Sequence, residues 1–114
     1  TTPVLPDDKE LLRGKCIIAI GSYMPEMREI PDAVLDLVDN VYIELPYACE
    51  ESGDLSQPLA SGKLTKDRVK LMHEYLVSGE KEIKEGQTTY FKSVGMGLFD
   101  VCIAQKLYEV AKEK

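Results

Sequence analysis

The chain reads as an α/β domain, a three-layer parallel sheet with helices on both faces. Three observations predict this. Cys16 to Ile20 is an apolar run without alternation, closed by Gly21, the pattern of a strand in a buried parallel sheet. Two further strand-like segments follow, Val41 to Leu45 and Thr88 to Val94. Helical patterns separate and follow them, and a strand–helix alternation with right-handed crossovers places helices on both sides of the sheet.

The elements follow in order. Residues 8–13 suit a short helix ended by Gly14, and the first strand is expected over 16–22. Pro31 sits well at the start of a helix over 32–39, with Val34, Leu35 and Val38 on one face. Asp39-Asn40 marks a turn, and the second strand, 41–45, closes at Pro46. Residues 47–64 are polar and broken by Gly53, Pro58 and Gly62, which predicts loop with one helical turn at most. Thr65 is a good N-cap for a helix over 66–78, with Val69, Met72 and Leu76 buried and Gly79 just past its end. A charged loop over 80–87 leads into the third strand, 88–94. Gly95-Met96-Gly97 then turns the chain into a last helix over 98–113.

Composition excludes several classes of function. With 114 residues the chain holds one domain or part of one. Its 14 basic and 20 acidic residues give a net charge of -6, which argues against a nucleic-acid surface. No stretch approaches the ~18 apolar residues of a membrane span. Cys16, Cys49 and Cys102 are widely spaced and odd in number, so they are expected to be buried, reduced thiols of a cytoplasmic protein. The chain opens without Met and closes in a helical pattern without a stop signal, so it is expected to be a piece of a longer protein.

The polar motifs mostly have plain structural readings. Gly95-Met96-Gly97 holds the place of a phosphate-binding turn, but Phe99-Asp100 stand where a third glycine belongs, so a tight helix start is expected. His73 has no second His or Cys at ligand spacing, so no metal site is expected there. Glu50, Glu51 and Asp54 read as solvated loop charges and a helix cap. Tyr42, Tyr90 and Phe91 read as core. In parallel sheets ligands bind at the carboxyl ends of the strands, so Gly21 to Tyr23 are the first place to look for chemistry.

Two longer segments, Ala-Ile-Gly-Ser-Tyr-Met-Pro-Glu-Met-Arg-Glu (19–29) and Tyr-Phe-Lys-Ser-Val-Gly-Met-Gly-Leu-Phe-Asp (90–100), together resemble the ornithine cyclodeaminase and mu-crystallin family. Glu51-Ser52-Gly53-Asp54 between them is similar to that family's Glu-Ser-Gly-Asp/Glu stretch. The resemblance implies the second half of an NAD(P)-binding Rossmann domain, with the glycine fingerprint and the substrate domain lying elsewhere in a longer protein. It implies that Ile20, Gly21, Ser22 and Tyr23, together with Ser93, line the nicotinamide end of the cofactor, and that Val94 lies beside the substrate. Thr1 and Thr2 would lie close to the family's cofactor-contacting threonine.

One departure bears on activity. Where the deaminating members carry a catalytic aspartate this chain has Tyr23, and Met27 replaces their lysine. A carboxyl group near ~4 is a ready base at neutral pH, whereas a phenol near ~10 stays protonated unless strongly perturbed. Ornithine cyclisation is therefore disfavoured. Two classes remain: an NAD(P)-dependent imine or amino-acid oxidoreductase using Tyr23 as its acid–base or hydrogen-bonding group, and a non-catalytic NAD(P)-dependent small-ligand-binding protein. The expected partners are a small imine or amino acid and, through an unpaired 16–22 strand edge, further copies of the chain.

Overall fold

The computed structural model describes residues 2–79 and 83–113. Its four strands are β1 (Cys16–Ala19), β2 (Val41–Ile43), β3 (Val69–Leu71) and β4 (Thr89–Lys92). They form one parallel sheet in the order β1-β4-β2-β3. Six helices accompany them: α1 (Lys9–Leu12), α2 (Asp32–Leu37), α3 (Ala48–Glu51), α4 (Gly53–Ser61), α5 (Met72–Ser78) and α6 (Gly97–Lys112). The α/β class and its parallel sheet are as the sequence predicts.

Parallel register decides which side chains share a face. Ile17 pairs with Tyr90 and Tyr90 with Val41, while Ala19 pairs with Lys92 and Lys92 with Ile43. This face carries the core. Leu12 of α1, Ala33, Val34 and Leu35 of α2, Ala48 of α3 and Leu55 of α4 pack onto it. The opposite face carries Tyr42, whose ring lies 5.1 Å from that of Tyr75 in α5. There Phe91, Met72, Leu76, Met96 and Phe99 line an apolar cleft of about 340 Å³ between α5 and the start of α6.

Several expectations need correction. The strand at 16–22 is not buried on both faces. Ile17 and Ala19 are buried, whereas Cys16 is exposed and Ile18 is 63% exposed. It also stops at Ala19, because the amides of Gly21 and Ser22 leave the ladder and donate to Glu29. The stretch 47–64 is mostly helical, forming α3 and α4. Ser52 caps α4 by accepting from the amide of Asp54, Pro58 is accommodated inside the helix, and Gly62 ends it at φ 78°.

The helix expected over 66–78 is three elements: a 3-10 turn (Lys66–Arg68), β3 and α5. Val69 and Leu71 satisfy a strand period of two as well as a helical stripe, and their partners Val41 and Ile43 select the strand. Met72 is half-buried and Leu76 is exposed. Arg68 from the turn reaches back to donate to the carbonyls of Leu35, Val38 and Asp39, closing the C-terminal end of α2, which has no basic residue of its own there.

The cysteines also depart from expectation: Cys16 and Cys102 are exposed, and only Cys49 is partly buried. Burial raises the pKa of the Cys49 thiol. Every residue of α6 is exposed although the helix is rich in apolar residues. Thr1, residues 80–82 of the charged loop and Lys114 lie outside the described residues.

Candidate functional site

The carboxyl ends of β1 and β4 lie side by side. Ala19 pairs with Lys92, and the amide of Ser93 donates to the carbonyl of Ala19 at 3.0 Å. Two arms leave the sheet here, residues 20–23 after β1 and residues 93–95 after β4. Ile20, Gly21, Ser22 and Tyr23 lie on one arm and Ser93 and Val94 on the other, whereas Thr2 lies apart, beside Pro6, Arg28 and Pro31, and Thr1 is outside the described residues. Ile20 is 72% and Tyr23 53% exposed, and Ser93 and Val94 are half-buried. Ser22 differs. It is fully buried, and its hydroxyl is shared between the carbonyl of Met27 (2.6 Å) and the hydroxyl of Ser52 (2.8 Å).

A carboxylate holds each arm. On the first, Oε2 of Glu29 accepts from the amides of Gly21 (2.6 Å) and Ser22 (3.2 Å). A Cβ at Gly21 would meet the Glu29 carboxyl group, so a larger residue there would push that side chain off the arm's amides. On the second, Oε1 of Glu44 accepts from the hydroxyl of Ser93 (2.8 Å) and the amides of Val94 (2.7 Å) and Gly95 (3.0 Å). Such charge-assisted bonds are stronger than neutral ones and fix backbone direction.

Beneath the first arm lies a buried charged cluster. Lys92, fully buried on β4, stands 3.5 Å from Oδ2 of Asp54 and 3.7 Å from Oε2 of Glu29. Oδ1 of Asp54 accepts from the amides of Glu29 (2.7 Å) and Ile30 (2.9 Å). Asp54 is therefore not a solvated loop charge as expected, but an internal brace for the loop that carries Glu29. Gly53 belongs to the same brace. Its amide donates to the carbonyl of Met24, and a side chain there would collide with the carbonyls of Pro25 and Met27. Tyr90 borders this cluster. Burial, reinforced by the charges of Asp54 and Glu29, pushes its hydroxyl pKa well above the ordinary phenol value.

Sequence reasoning missed Glu29, Glu44 and Lys92. The available signals were a lysine inside a strand of apolar residues and a glutamate at a strand's carboxyl end. Among the described residues no cluster of three or more His, Cys, Asp or Glu side chains could hold a metal, and His73 is exposed. No described helix is long and apolar enough to cross a membrane.

A parallel sheet with helices on both faces defines a Rossmann-like α/β domain, a fold in which ligands bind at the carboxyl ends of the strands. The chain belongs to the ornithine cyclodeaminase/mu-crystallin family, whose sequence profile matches residues 1–114. It is 35% identical over 117 residues to a Delta(1)-pyrroline-2-carboxylate reductase of Bacillus cereus, a match that covers 100% of this chain and 35% of that protein. It is 30% identical over 98 residues to Protein SAR DEFICIENT 4 of Arabidopsis thaliana, covering 84% of this chain and 30% of that one.

Two solved structures share the fold. A probable ornithine cyclodeaminase from Bordetella pertussis superposes with a TM-score of 0.80 at 28% identity, over 98% of this chain and 36% of that one. The Delta(1)-pyrroline-2-carboxylate reductase of Thermococcus litoralis, solved in complex with NADH and L-proline, gives 0.79 at 23% identity, over 97% and 35%. The chain spans about a third of the length of the curated reductases it matches.

Proposed function

We propose that these residues form the nicotinamide-end half of the NAD(P)-binding domain of a longer reductase that acts on a small cyclic imine of the pyrroline-carboxylate type. The observation that carries this reading is that the segments 20–23 and 93–95 leave the sheet at the adjacent carboxyl ends of β1 and β4, tied where the amide of Ser93 donates to the carbonyl of Ala19. Whole-chain similarity to Delta(1)-pyrroline-2-carboxylate reductases supports the substrate class. The half-domain assignment is supported by β1, an edge strand with an uncovered face at Ile18 and Ile20.

The residues of these two segments fit one end of the cofactor. Exposed Ile20 and half-buried Val94 offer apolar surface to a flat ring, and Ser93 offers a polar contact. They do not fit a pyrophosphate, because the amides of Gly21, Ser22, Val94 and Gly95 are already donated to Glu29 and Glu44. When bound, a reduced nicotinamide supplies the hydride that saturates the imine carbon. The chain's own residues bind and orient the reactants. Ser93, its proton committed to Glu44, accepts from a ligand N–H. Tyr23, exposed on the lip, donates a hydrogen bond to the substrate, and Ser22 holds the arm from below.

The test is NADH and NADPH oxidation by the full-length natural protein with Δ1-pyrroline-2-carboxylate, followed by absorbance. Turnover with either cofactor is expected. Tight binding of cofactor and imine without turnover would instead select the non-catalytic binding protein, with Tyr23 marking the lost carboxylate.

A further inference from the structure

We propose that α6 is a docking helix, whose apolar arc is covered by the part of the same polypeptide that lies outside these 114 residues. The proposal rests on the longer-protein part of the reading above and on no cofactor.

The helix has two unlike sides. Successive residues of an α-helix stand about 100° apart around its axis. Gln105, Lys106 and Glu109 of α6 fall on one side and satisfy one another. Nε2 of Gln105 donates to Oε1 of Glu109 at 3.1 Å, and Nζ of Lys106 stands 3.9 Å from Oε2 of Glu109. The other side, an arc of ~200°, carries Phe99, Val101, Ile103, Leu107, Tyr108 and Val110. The one charge in this arc is Asp100, in the first turn, where an acidic residue suits the helix N-terminus. All six apolar residues are exposed, Ile103 at 63% and Leu107 at 65%.

Such a helix needs a partner. Sixteen residues are marginal as a helix in water unless an apolar face is packed. Half the surface of a rod about 24 Å long and 10 Å across is about 400 Å², a size at which a bare apolar patch marks an interaction surface. Phe99 extends the patch, because it also lines the apolar cleft with Met72, Leu76, Phe91 and Met96.

The occupant follows from length and tethering. The reductases this chain matches are about three times as long, since the match takes in 35% of their length. The superposition on the Bordetella pertussis protein takes in 98% of this chain, α6 included, and 36% of that one. A domain on the same polypeptide meets α6 at an effective concentration of order mM, far above that of a separate copy. Only Gly95 and Met96 separate α6 from Val94, so a docked α6 holds the second arm against the covering domain.

The experiment introduces Leu107→Cys or Gln105→Cys into the full-length natural protein and follows alkylation by iodoacetamide at that site by peptide mass spectrometry. Leu107→Cys is expected to react ~10-fold or more slowly than Gln105→Cys, since the covered site reacts only when the interface opens, and dilution should leave the ratio unchanged. Equal rates overturn the proposal. Protection that vanishes on dilution overturns it too, because a second copy would then be the cover. If Leu107→Cys does not fold, Ile103→Cys is read in the same way. Hydrogen exchange on the unsubstituted protein is a further check, and unprotected amides over 103–110 would also overturn the proposal. The longer-protein reading fails separately, on a natural protein no longer than these 114 residues.

Discussion

Lys92→Met removes a buried cation from between two carboxylates while keeping most of the side chain's volume. Lys92 and Asp54 are both fully buried, and the side chain of Glu29 is 29% exposed. Removing one partner of a buried pair typically costs 3–5 kcal/mol, because the remaining charge stays desolvated and unopposed. Here the separations of 3.5 and 3.7 Å exceed the best charge-assisted geometry, and Glu29 keeps some contact with water, so the lower end, ~3 kcal/mol, applies. For 114 residues at ~2.1 cal/mol/K each, the unfolding entropy is ~0.24 kcal/mol/K, so the melting temperature should fall by about 12 °C.

A double-mutant cycle separates the charge from the packing. Asp54→Asn retains Oδ1 as acceptor for the amides of Glu29 and Ile30, at 2.7 and 2.9 Å, and removes only the charge. Combined with Lys92→Met it should be less destabilising than the sum of the single changes, by ~2 kcal/mol. Thermal and urea unfolding followed by circular dichroism measure both quantities. A Lys92→Met loss below ~1 kcal/mol, or strictly additive variants, would refute the view that this cluster braces the first arm.

Three further outcomes are expected. Tyr23→Phe in the full-length protein should lower kcat/KM by no more than about tenfold, the order of one net hydrogen bond, whereas a loss of ~100-fold or more would make Tyr23 an essential acid or base. Tyr90 has its hydroxyl pKa raised by burial first and by Asp54 and Glu29 second, so the stability it contributes is fully present below the unfolded phenol value near ~10 and is lost as pH rises above it. Tyr90→Phe should therefore flatten the alkaline limb of a stability–pH profile. It should also be neutral or stabilising at pH 7, because the buried hydroxyl has no hydrogen-bond partner among the described residues. Finally, light scattering of the 114 residues alone should report dimers or larger species at ~100 μM, since β1 is an edge strand and Ile18 and Ile20 are exposed beside it; a clean monomer would count against an open strand edge.

The legible parts of this fold are those in which one period dominates. Cys16 to Ala19, Val41 to Ile43 and Thr89 to Lys92 are short β-favouring runs between glycine, proline and charge, and their strands fall within the expected spans. The observed strands are shorter at their carboxyl ends for a reason no propensity contains: Glu29, a few residues on, and Glu44, just past β2, take the amides of Gly21, Ser22, Val94 and Gly95. β3 was hidden because Val69 and Leu71 fit both periods, and only pairing with Val41 and Ile43 separates them. The region 47–64 was hidden because Gly53, Pro58 and Gly62 read as breakers. In the fold, Gly53 is a point of close backbone approach, Pro58 a buried helix residue and Gly62 a cap.

The same logic explains why the strand-end segments were readable and their supports were not. Residues at a strand's carboxyl end lie next to the strand in sequence, so the topology rule reaches Gly21 to Tyr23 directly, while Ile20, Ser93 and Val94 come from the family resemblance. A buried lysine looks in sequence like any exposed one. What distinguishes Lys92 is that its register partner is Ala19 and that two carboxylates, one from the 21–29 loop and one from α4, converge on it. The Ser52-Gly53-Asp54 stretch then takes on a single role: the serine binds Ser22, the glycine admits the loop and the aspartate caps it. If that role is right, substitutions in this stretch should displace the arm carrying Tyr23 although the stretch is no part of that arm, and their effects should fall on ligand affinity and loop order together.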